Sequence, residues 1–235
     1  MTKEKFNIDT EEMTRQGLHF GHRTSKINPK MQPFLFGVRD TIHIIDVEKT
    51  KEKLIEALEF VQKLTAEGKT LMLVGTKVQI KDVVREAAEA GGFYYVVERW
   101  LGGTFTNFGS IFKRIEYFKD LERKKTAGEL EKYTKKERAD IDEELREFER
   151  KFGGIKNLTR LPDAIFVCDM IKDKLAVKEA RAKGIKVIGI CDTNADPTLA
   201  DFPVPASDDA ISSVKYILDK VQEAIKGVKK PKAKS

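Results

Sequence analysis

The chain has 235 residues, of which 40% are hydrophobic and 9% aromatic, so it can bury a core in one large or two small domains. Charged residues reach 35%, well above the ~25% of an ordinary globular domain. Lys and Arg number 44 against 38 Asp and Glu, which leaves a net charge of +6. The hydrophobic content excludes wholesale disorder. No apolar run approaches the ~18 residues of a membrane span, and two cysteines are too few for a disulfide scaffold. The N-terminus has no apolar signal-peptide core, so we expect a cytoplasmic protein.

In the first hundred residues, short apolar strands alternate with amphipathic helices. Strands that are apolar on both faces are typical of parallel sheets covered by helices. In chain order, the pattern predicts a short helix capped by Asp9, an irregular loop over 21–37, a strand over 41–47, a helix over 54–64 stopped by Gly68, a strand over 71–74, a helix over 80–91 closed by Gly91, and a strand over 93–97.

A highly charged segment from Lys113 to Lys151 interrupts this alternation. Its 39 residues carry 13 basic and 12 acidic side chains, and apolar residues recur with the a and d spacing of a heptad. The run from Thr134 to Glu137 has the form of a capping box, which indicates that a second helix starts there. We interpret the segment as two helices folded into an antiparallel hairpin; a single solvated helix is the alternative.

The second half of the chain returns to strands and helices. We expect strands over 164–168 and 186–191, a helix over 174–183 between them, and a last helix that starts near Ser207 and ends at Gly227. The chain then divides into a first part of an α/β domain (1–110), a helical hairpin insertion (111–152), a second part of the α/β domain (153–228) and a basic tail (229–235).

Two predicted strand ends carry residues that suit enzyme chemistry. Gly75-Thr76-Lys77 lies at a strand-to-helix turn, where free N–H groups can hold a phosphate, although a tight turn capped by Thr76 explains the same residues. Asp192 and Asp196 offer two carboxylates for Mg²⁺, although Asx turns also account for them. No GxGxxG or GxxxxGK[ST] motif is present. We therefore expect no enzyme and no cofactor; a nucleotide-binding hydrolase that uses Asp192, Asp196 and Thr76 is the rival hypothesis.

Histidines and cysteines suggest little metal or nucleophile chemistry. His19 and His22 offer two ligands for zinc, but no CxxC motif or further histidine stands nearby to complete four. Contacts with RNA or structural contacts are the alternatives, and a zinc-linked interaction module is a third hypothesis. Cys168 and Cys191 end two predicted strands, so we expect them to be core hydrophobes.

Cations are concentrated in three segments that contain no acidic residue. Residues 15–39, 99–114 and 225–235 hold five, three and five of them, so the rest of the chain carries a net charge of −7. In the first two segments, aromatic, hydroxyl and amide groups lie between the cations, a mixture that suits the phosphates and 2′-hydroxyls of RNA. Aromatic residues buried in the core beside solvated cations are the alternative. The candidate RNA-binding residues are Arg15, His19, His22, Arg23, Thr24, Lys26, Asn28, Lys30, Arg39, Lys77, Arg99, Trp100, Thr104, Thr106, Asn107, Lys113 and Arg114.

Several short motifs occur in order from about residue 10 to residue 226. They are His19-Phe-Gly-His22-Arg-Thr, Asn28-Pro-Lys-Met31, Phe36-Gly-Val-Arg39, Ile42-His-Ile-Ile-Asp46, Val74-Gly-Thr-Lys77, Arg99-Trp-Leu-Gly-Gly103, Thr106-Asn-Phe108, Leu161-Pro-Asp163, Asp192-Thr-Asn-Ala-Asp-Pro197 and Ser207-Asp-Asp-Ala-Ile211. Together the motifs resemble the universal family of small-subunit ribosomal protein two, in its bacterial form.

The resemblance implies a three-layer α/β sandwich with a mainly parallel sheet and an inserted antiparallel α-helical (coiled-coil) hairpin, which agrees with the pattern of strands and helices. It also implies a structural, non-enzymatic component of the small ribosomal subunit. Such a protein contacts small-subunit ribosomal RNA and neighbouring small-subunit proteins, and it helps to recruit the largest of them, which captures messenger RNA. The resemblance implies no membrane, no small-molecule substrate and no cofactor.

Overall fold

The computed structural model describes residues 6–226 and 228, and their strands form two separate sheets. The larger sheet has five parallel strands in the spatial order β5-β4-β6-β7-β8. The smaller sheet has three antiparallel strands in the order β1-β3-β2. The strands are β1 (Phe20–Arg23), β2 (Leu35–Arg39), β3 (Ile42–Ile45), β4 (Leu71–Val74), β5 (Tyr94–Val96), β6 (Ala164–Val167), β7 (Lys186–Cys191) and β8 (Phe202–Pro205).

Helices cover both faces of the five-stranded sheet. They are α1 (Thr10–Arg15), α2 (Val47–Ala66), α3 (Lys81–Gly91), α4 (Phe108–Thr126), α5 (Lys135–Phe152), α6 (Lys174–Ala182) and α7 (Ile211–Ile225). Leu71 and Leu73 of β4 belong to the apolar cluster formed with α2, α3 and α7, whereas Met72 and Val74 belong to the cluster formed with α4, α5 and α6. The predicted α/β fold with a parallel sheet, buried on both faces, is therefore confirmed.

The N-terminal region differs from the prediction. The sequence predicts an irregular loop over 21–37, but β1 and β2 lie there and pair with the two edges of β3. The strand predicted over 41–47 is β3, which belongs to this antiparallel sheet and not to the parallel one. The prolines at 29 and 33 lie in a 3₁₀ turn between β1 and β2. The short strands flanking that turn have too few residues to show a clear alternation of apolar and polar positions.

Three further boundaries also differ. The sequence does not predict β8, because Pro203 and Pro205 interrupt it; β8 is an edge strand, where proline is tolerated. The last helix begins at Ile211 and not near Ser207, whose backbone N–H donates to the carbonyl of Leu18 in the turn before β1. Helix α3 ends in a left-handed residue at Gly92, one position after the predicted stop.

The charged segment spans two helices, α4 and α5, separated by residues 127–134. Thr134 and Glu137 form the predicted capping box at the start of α5. The rings of Phe118 and Phe148 lie 5.7 Å apart, which brings the two helices into apolar contact.

The C-terminal tail and the length of the helices bear on two further expectations. The predicted basic tail, residues 229–235, lies outside the described residues. Within the described part of the chain, no helix combines the length and the apolar character needed to cross a bilayer.

Candidate nucleic-acid interface

Arginines lie on both edge strands of the small antiparallel sheet. Arg23 of β1 and Arg39 of β2 are each in register with Ile42 of the central strand. Residues directly opposite one another share a sheet face, so the two side chains leave the same face about 10 Å apart, which is two strand spacings. Arg23 and Lys26, which follows it in a short 3₁₀ turn, are exposed, as is Thr24. Arg39 also lies 3.7 Å from Asp40, but both side chains are exposed, and an exposed ion pair is weak. This geometry presents separate cations at a spacing that two phosphates can match.

Other candidates in residues 15–39 have partners inside the protein. The ammonium of Lys30 lies 2.7 Å from Asp196, and the guanidinium of Arg15 lies 3.2 Å from Glu11. The backbone N–H of Asn28 donates to the carbonyl of Thr193 at 2.8 Å. These three residues therefore hold the N-terminal segment to the rest of the fold or to their own helix.

The segment 99–114 separates into exposed cations and buried packing residues. Arg99, Lys113 and Arg114 are exposed, and none of the three forms an ion pair with another described residue. Trp100 and Thr104 are buried, with the Trp100 ring edge-on to Phe105, so their side chains are not available to RNA in this conformation. The alternative interpretation, core aromatic residues beside solvated cations, describes Trp100 correctly.

Two polar candidates of this segment serve the local fold. The hydroxyl of Thr106 donates to the carboxylate of Glu179 at 3.2 Å, and the amide oxygen of Asn107 accepts from the hydroxyl of Ser110 at 3.1 Å at the start of α4. Sequence reasoning missed Glu179, although the signal was present: it lies between the buried positions Val177 and Ala180 on the apolar face of α6.

Lys77 lies in a cluster of carboxylates at the carboxyl edge of the parallel sheet. Its ammonium is 3.0 Å from Asp208, 3.5 Å from Asp169 and still closer to Asp209. Burial opposes the charged form, but the hydrogen bonds to Asp209 and Asp208 outweigh it and raise the pKa of Lys77. Because the ammonium is neutralised by these carboxylates, Lys77 is not a free cation for RNA.

The two histidines of the zinc hypothesis have different surroundings. The ring of His19 packs against Phe20 at 3.9 Å, and burial lowers the pKa of His19. His22 instead joins Asp208 and Asp209 in a group whose ligand atoms all lie within 4.8 Å. Its Nδ1 lies 3.1 Å from Asp192, which raises the pKa of His22 more than burial lowers it. Among the described residues, no group of three or more potential ligands contains both histidines, and Lys77 already compensates the acidic group that His22 joins.

The residues of the enzyme hypothesis are committed to structural contacts. The backbone N–H and hydroxyl of Thr76 donate to Asp173 at 3.1 and 2.7 Å, so the turn after β4 already holds a carboxylate of this chain. Asp196 caps the 3₁₀ turn at 197–199 and pairs with Lys30. Cys168 and Cys191 are fully buried, and burial raises the pKa of both thiols. Both cysteines are core residues, as predicted.

Comparison with known proteins agrees with the motifs and the fold. The family model described as ribosomal protein S2 matches residues 13–227. A protein of Roseiflexus sp. (strain RS-1), described as small ribosomal subunit protein uS2, is 44% identical over 217 residues, which cover 92% of this chain and 83% of that protein. The chain therefore belongs to the ribosomal protein S2 family, whose members are structural, non-enzymatic components of the small ribosomal subunit, which is cytoplasmic in bacteria.

Proposed function

We propose that this protein binds small-subunit ribosomal RNA through exposed cations of residues 15–39 and 99–114, and that it holds neighbouring small-subunit proteins in place. The RNA-facing residues would be Arg23, Lys26, Arg39, Arg99, Lys113 and Arg114, with Thr24 and Asn107 beside them. Arg15, Asn28 and Lys30 would support the N-terminal segment. Trp100, Thr104, Thr106 and Lys77 would act inside the fold.

One contrast in ion pairing carries this proposal. Arg23, Lys26 and Arg99 are exposed and have no ion pair among the described residues, whereas six cations of α4 and α5 pair with acids of their own helices. For example, Arg123 lies 2.6 Å from Asp120. Unmatched cations release counterions from RNA when they bind phosphates, but matched cations gain little.

The insertion is better suited to contacts with proteins or to bracing the RNA. We propose that α4 and α5 form an antiparallel coiled-coil hairpin, supported by the Phe118–Phe148 contact and by the ion pair of Lys125 with Asp142 at 2.7 Å between the helices. A surface with nearly equal numbers of cations and anions offers phosphate little net attraction.

The small antiparallel sheet offers an apolar surface for a neighbouring protein. Phe36 and Val38, two positions apart on β2, are 81% and 57% exposed. Exposed apolar side chains that cluster in this way mark interaction sites. We propose this face as the docking site of a small-subunit protein, and the largest of them is the expected partner.

The RNA interface is tested with a triple variant, Arg23→Ala, Lys26→Ala and Arg99→Ala. We expect weaker association with small-subunit particles lacking this protein, and a salt dependence of log K that is shallower by about 0.9 for each phosphate that the variant no longer neutralises. The matched control removes three cations from the insertion: Arg123→Ala, Arg146→Ala and Arg150→Ala. Equal affinity and equal salt slope for both triple variants would contradict the proposed interface.

The protein-docking surface is tested by Phe36→Ser. Because the side chain is almost fully exposed, we expect no loss of stability, together with reduced retention of the largest small-subunit protein on reconstituted particles. Binding of the RNA should be unchanged. Full retention of that protein would assign the apolar face to another neighbour or to none.

A further inference from the structure

The carboxylate of Glu179 on α6 is a buried charge with no role in the RNA and protein contacts proposed above. The residue is 5% exposed and lies on the helix face that packs against the sheet. A buried carboxylate is costly unless it is fully hydrogen-bonded. Its partners therefore indicate what it is for.

Among the described residues, the hydrogen bonds to the carboxylate of Glu179 come from one short stretch of chain. Oε1 accepts from the backbone N–H of Gly103 at 2.8 Å and from the indole N–H of Trp100 at 3.4 Å. Oε2 accepts from the backbone N–H of Phe105 at 2.9 Å, and from the backbone N–H and hydroxyl of Thr106, each at 3.2 Å. Five donors surround the carboxylate, so both of its oxygens are fully hydrogen-bonded.

The geometry of this loop is that of an anion-binding nest whose anion is part of the protein. Gly103 has a φ of +90°, which turns the loop so that its N–H groups converge on one point. Burial alone raises the pKa of a carboxyl, but the backbone N–H groups of Gly103, Phe105 and Thr106 outweigh it, and the pKa of Glu179 is lowered. The carboxylate therefore stays ionised at neutral pH.

The loop held by Glu179 joins the two places where the proposed RNA-binding cations of this segment stand. Arg99 comes directly before it, and Lys113 and Arg114 lie in the first turns of α4 directly after it. Residues 101–106 belong to no helix or strand. Inside the loop, the carbonyls of Leu101 and Gly103 accept from the backbone N–H groups of Thr104 and Asn107, and the carboxylate of Glu179 ties the loop to α6.

We infer that Glu179 is a positioning residue for RNA binding: it fixes the loop 100–106 and thereby the relative placement of Arg99, Lys113 and Arg114. The inference rests on the proposed function, because it assigns no RNA contact to Glu179 itself. A flexible loop would let the same three cations spread over many arrangements, and the entropy of ordering them would then oppose binding.

Glu179→Gln tests the inference with almost no change in shape. A glutamine side chain has one oxygen and one NH₂ group, so one of the two sets of donors would face another donor. The control is Asp201→Asn, which makes the same chemical change outside the loop, at a partly exposed carboxylate that accepts the backbone N–H of Val187 at 2.9 Å and pairs with Lys186 at 2.6 Å. Both variants lose stability, but only the first loosens the loop.

Three measurements separate positioning from general destabilisation. Trp100 is the only tryptophan in the chain, so its fluorescence reports on this loop alone. We expect acrylamide to quench Trp100 more strongly in E179Q than in the wild type and in D201N. At a temperature where all variants are folded, we expect E179Q to bind particles lacking this protein more weakly. Its salt slope should be lower by up to about 2.7, the value for three neutralised phosphates.

The possible outcomes distinguish the inference from the function beneath it. If R99A weakens binding while folded E179Q binds with the wild-type affinity and salt slope, Glu179 has no positioning role. If instead R99A, K113A and R114A each leave binding unchanged, the proposed interface at 99–114 is refuted together with the inference. Should E179Q not fold, Gly103→Ala strains the same loop and leaves the carboxylate in place; wild-type quenching and salt slope in G103A would overturn the inference.

Discussion

Removal of the Lys77 ammonium should destabilise the protein strongly. The side chain of Lys77 is 18% exposed, and those of Asp208 and Asp169 are 3% and 8% exposed. In Lys77→Met these two carboxylates remain buried beside Asp209 without the ammonium, and the imidazole of His22, 3.6 Å from Asp209, is the basic group left in the cluster. Burial and the charges of Asp169 and Asp192 already raise the pKa of Asp208 to about 7, although Lys77 acts in the opposite direction.

The expected loss of stability follows from the burial of the cluster. Breaking a buried ion pair by removing one partner costs about 3–5 kcal/mol, whereas an exposed pair contributes about 0–1 kcal/mol. Lys30→Met is the matched control, because its ammonium also pairs with an aspartate, Asp196, but is 54% exposed. For a chain of this size, each kcal/mol lowers the melting temperature by about 2–4 °C. We therefore expect K77M to melt about 6–20 °C below the wild type and K30M within about 4 °C of it.

Calorimetry and urea unfolding of both variants at pH 7.5 provide the measurement. Asp208 would carry a still higher pKa without the ammonium, so the folded state of K77M would bind more protons than the unfolded chain. The difference in free energy of unfolding between the wild type and K77M should therefore become smaller as the pH falls from 7.5 to 5.5. Equal, small losses of stability in K77M and K30M would refute the reasoning, since they would mean that the cluster is solvated in solution.

Two further predictions concern packing. At Gly154 a Cβ atom would overlap the carbonyl oxygen and ring of Tyr95, so Gly154→Ala should lower the free energy of unfolding by about 1–3 kcal/mol. Gly109, in the first turn of α4, has open space around it, so Gly109→Ala should raise the free energy of unfolding by about 0.4–1 kcal/mol. Urea unfolding of both variants checks these opposite signs. Because Cys168 and Cys191 are buried and the pKa of each thiol is raised, neither should react with an aromatic disulfide reagent until the protein unfolds. Rapid labelling of the native protein would contradict their burial.

The candidate site could be predicted only in outline. Acid-free segments are visible in the sequence, and Arg23, Lys26 and Arg99 proved to be exposed. Whether a cation is available depends on partners that are distant along the chain: Lys77 meets Asp208 and Lys30 meets Asp196 only after folding. The number of cations in a sequence therefore overestimates the surface that can attract RNA.

The sequence by itself determined the main elements of the fold. Strand β6 is apolar at every position, and helix α2 carries its apolar residues on one face; such patterns specify a buried parallel strand and a helix on one face of the sheet without knowledge of the partners. Local signals also fixed the start of α5 at Thr134 and the left-handed stop after α2 at Gly68.

Only the tertiary structure decided the pairing of the short strands and the fate of individual polar side chains. Strands β1 and β2 are too short for a clear periodicity, and they are defined by hydrogen bonds to β3. The side chain of Trp100 is compatible with either a surface or a core position, and its burial depends on Phe105 and Glu179. The physical reason is the same in each case: periodicity and capping arise from neighbours a few residues apart, whereas strand pairing, burial and charge neutralisation depend on groups that only folding brings together.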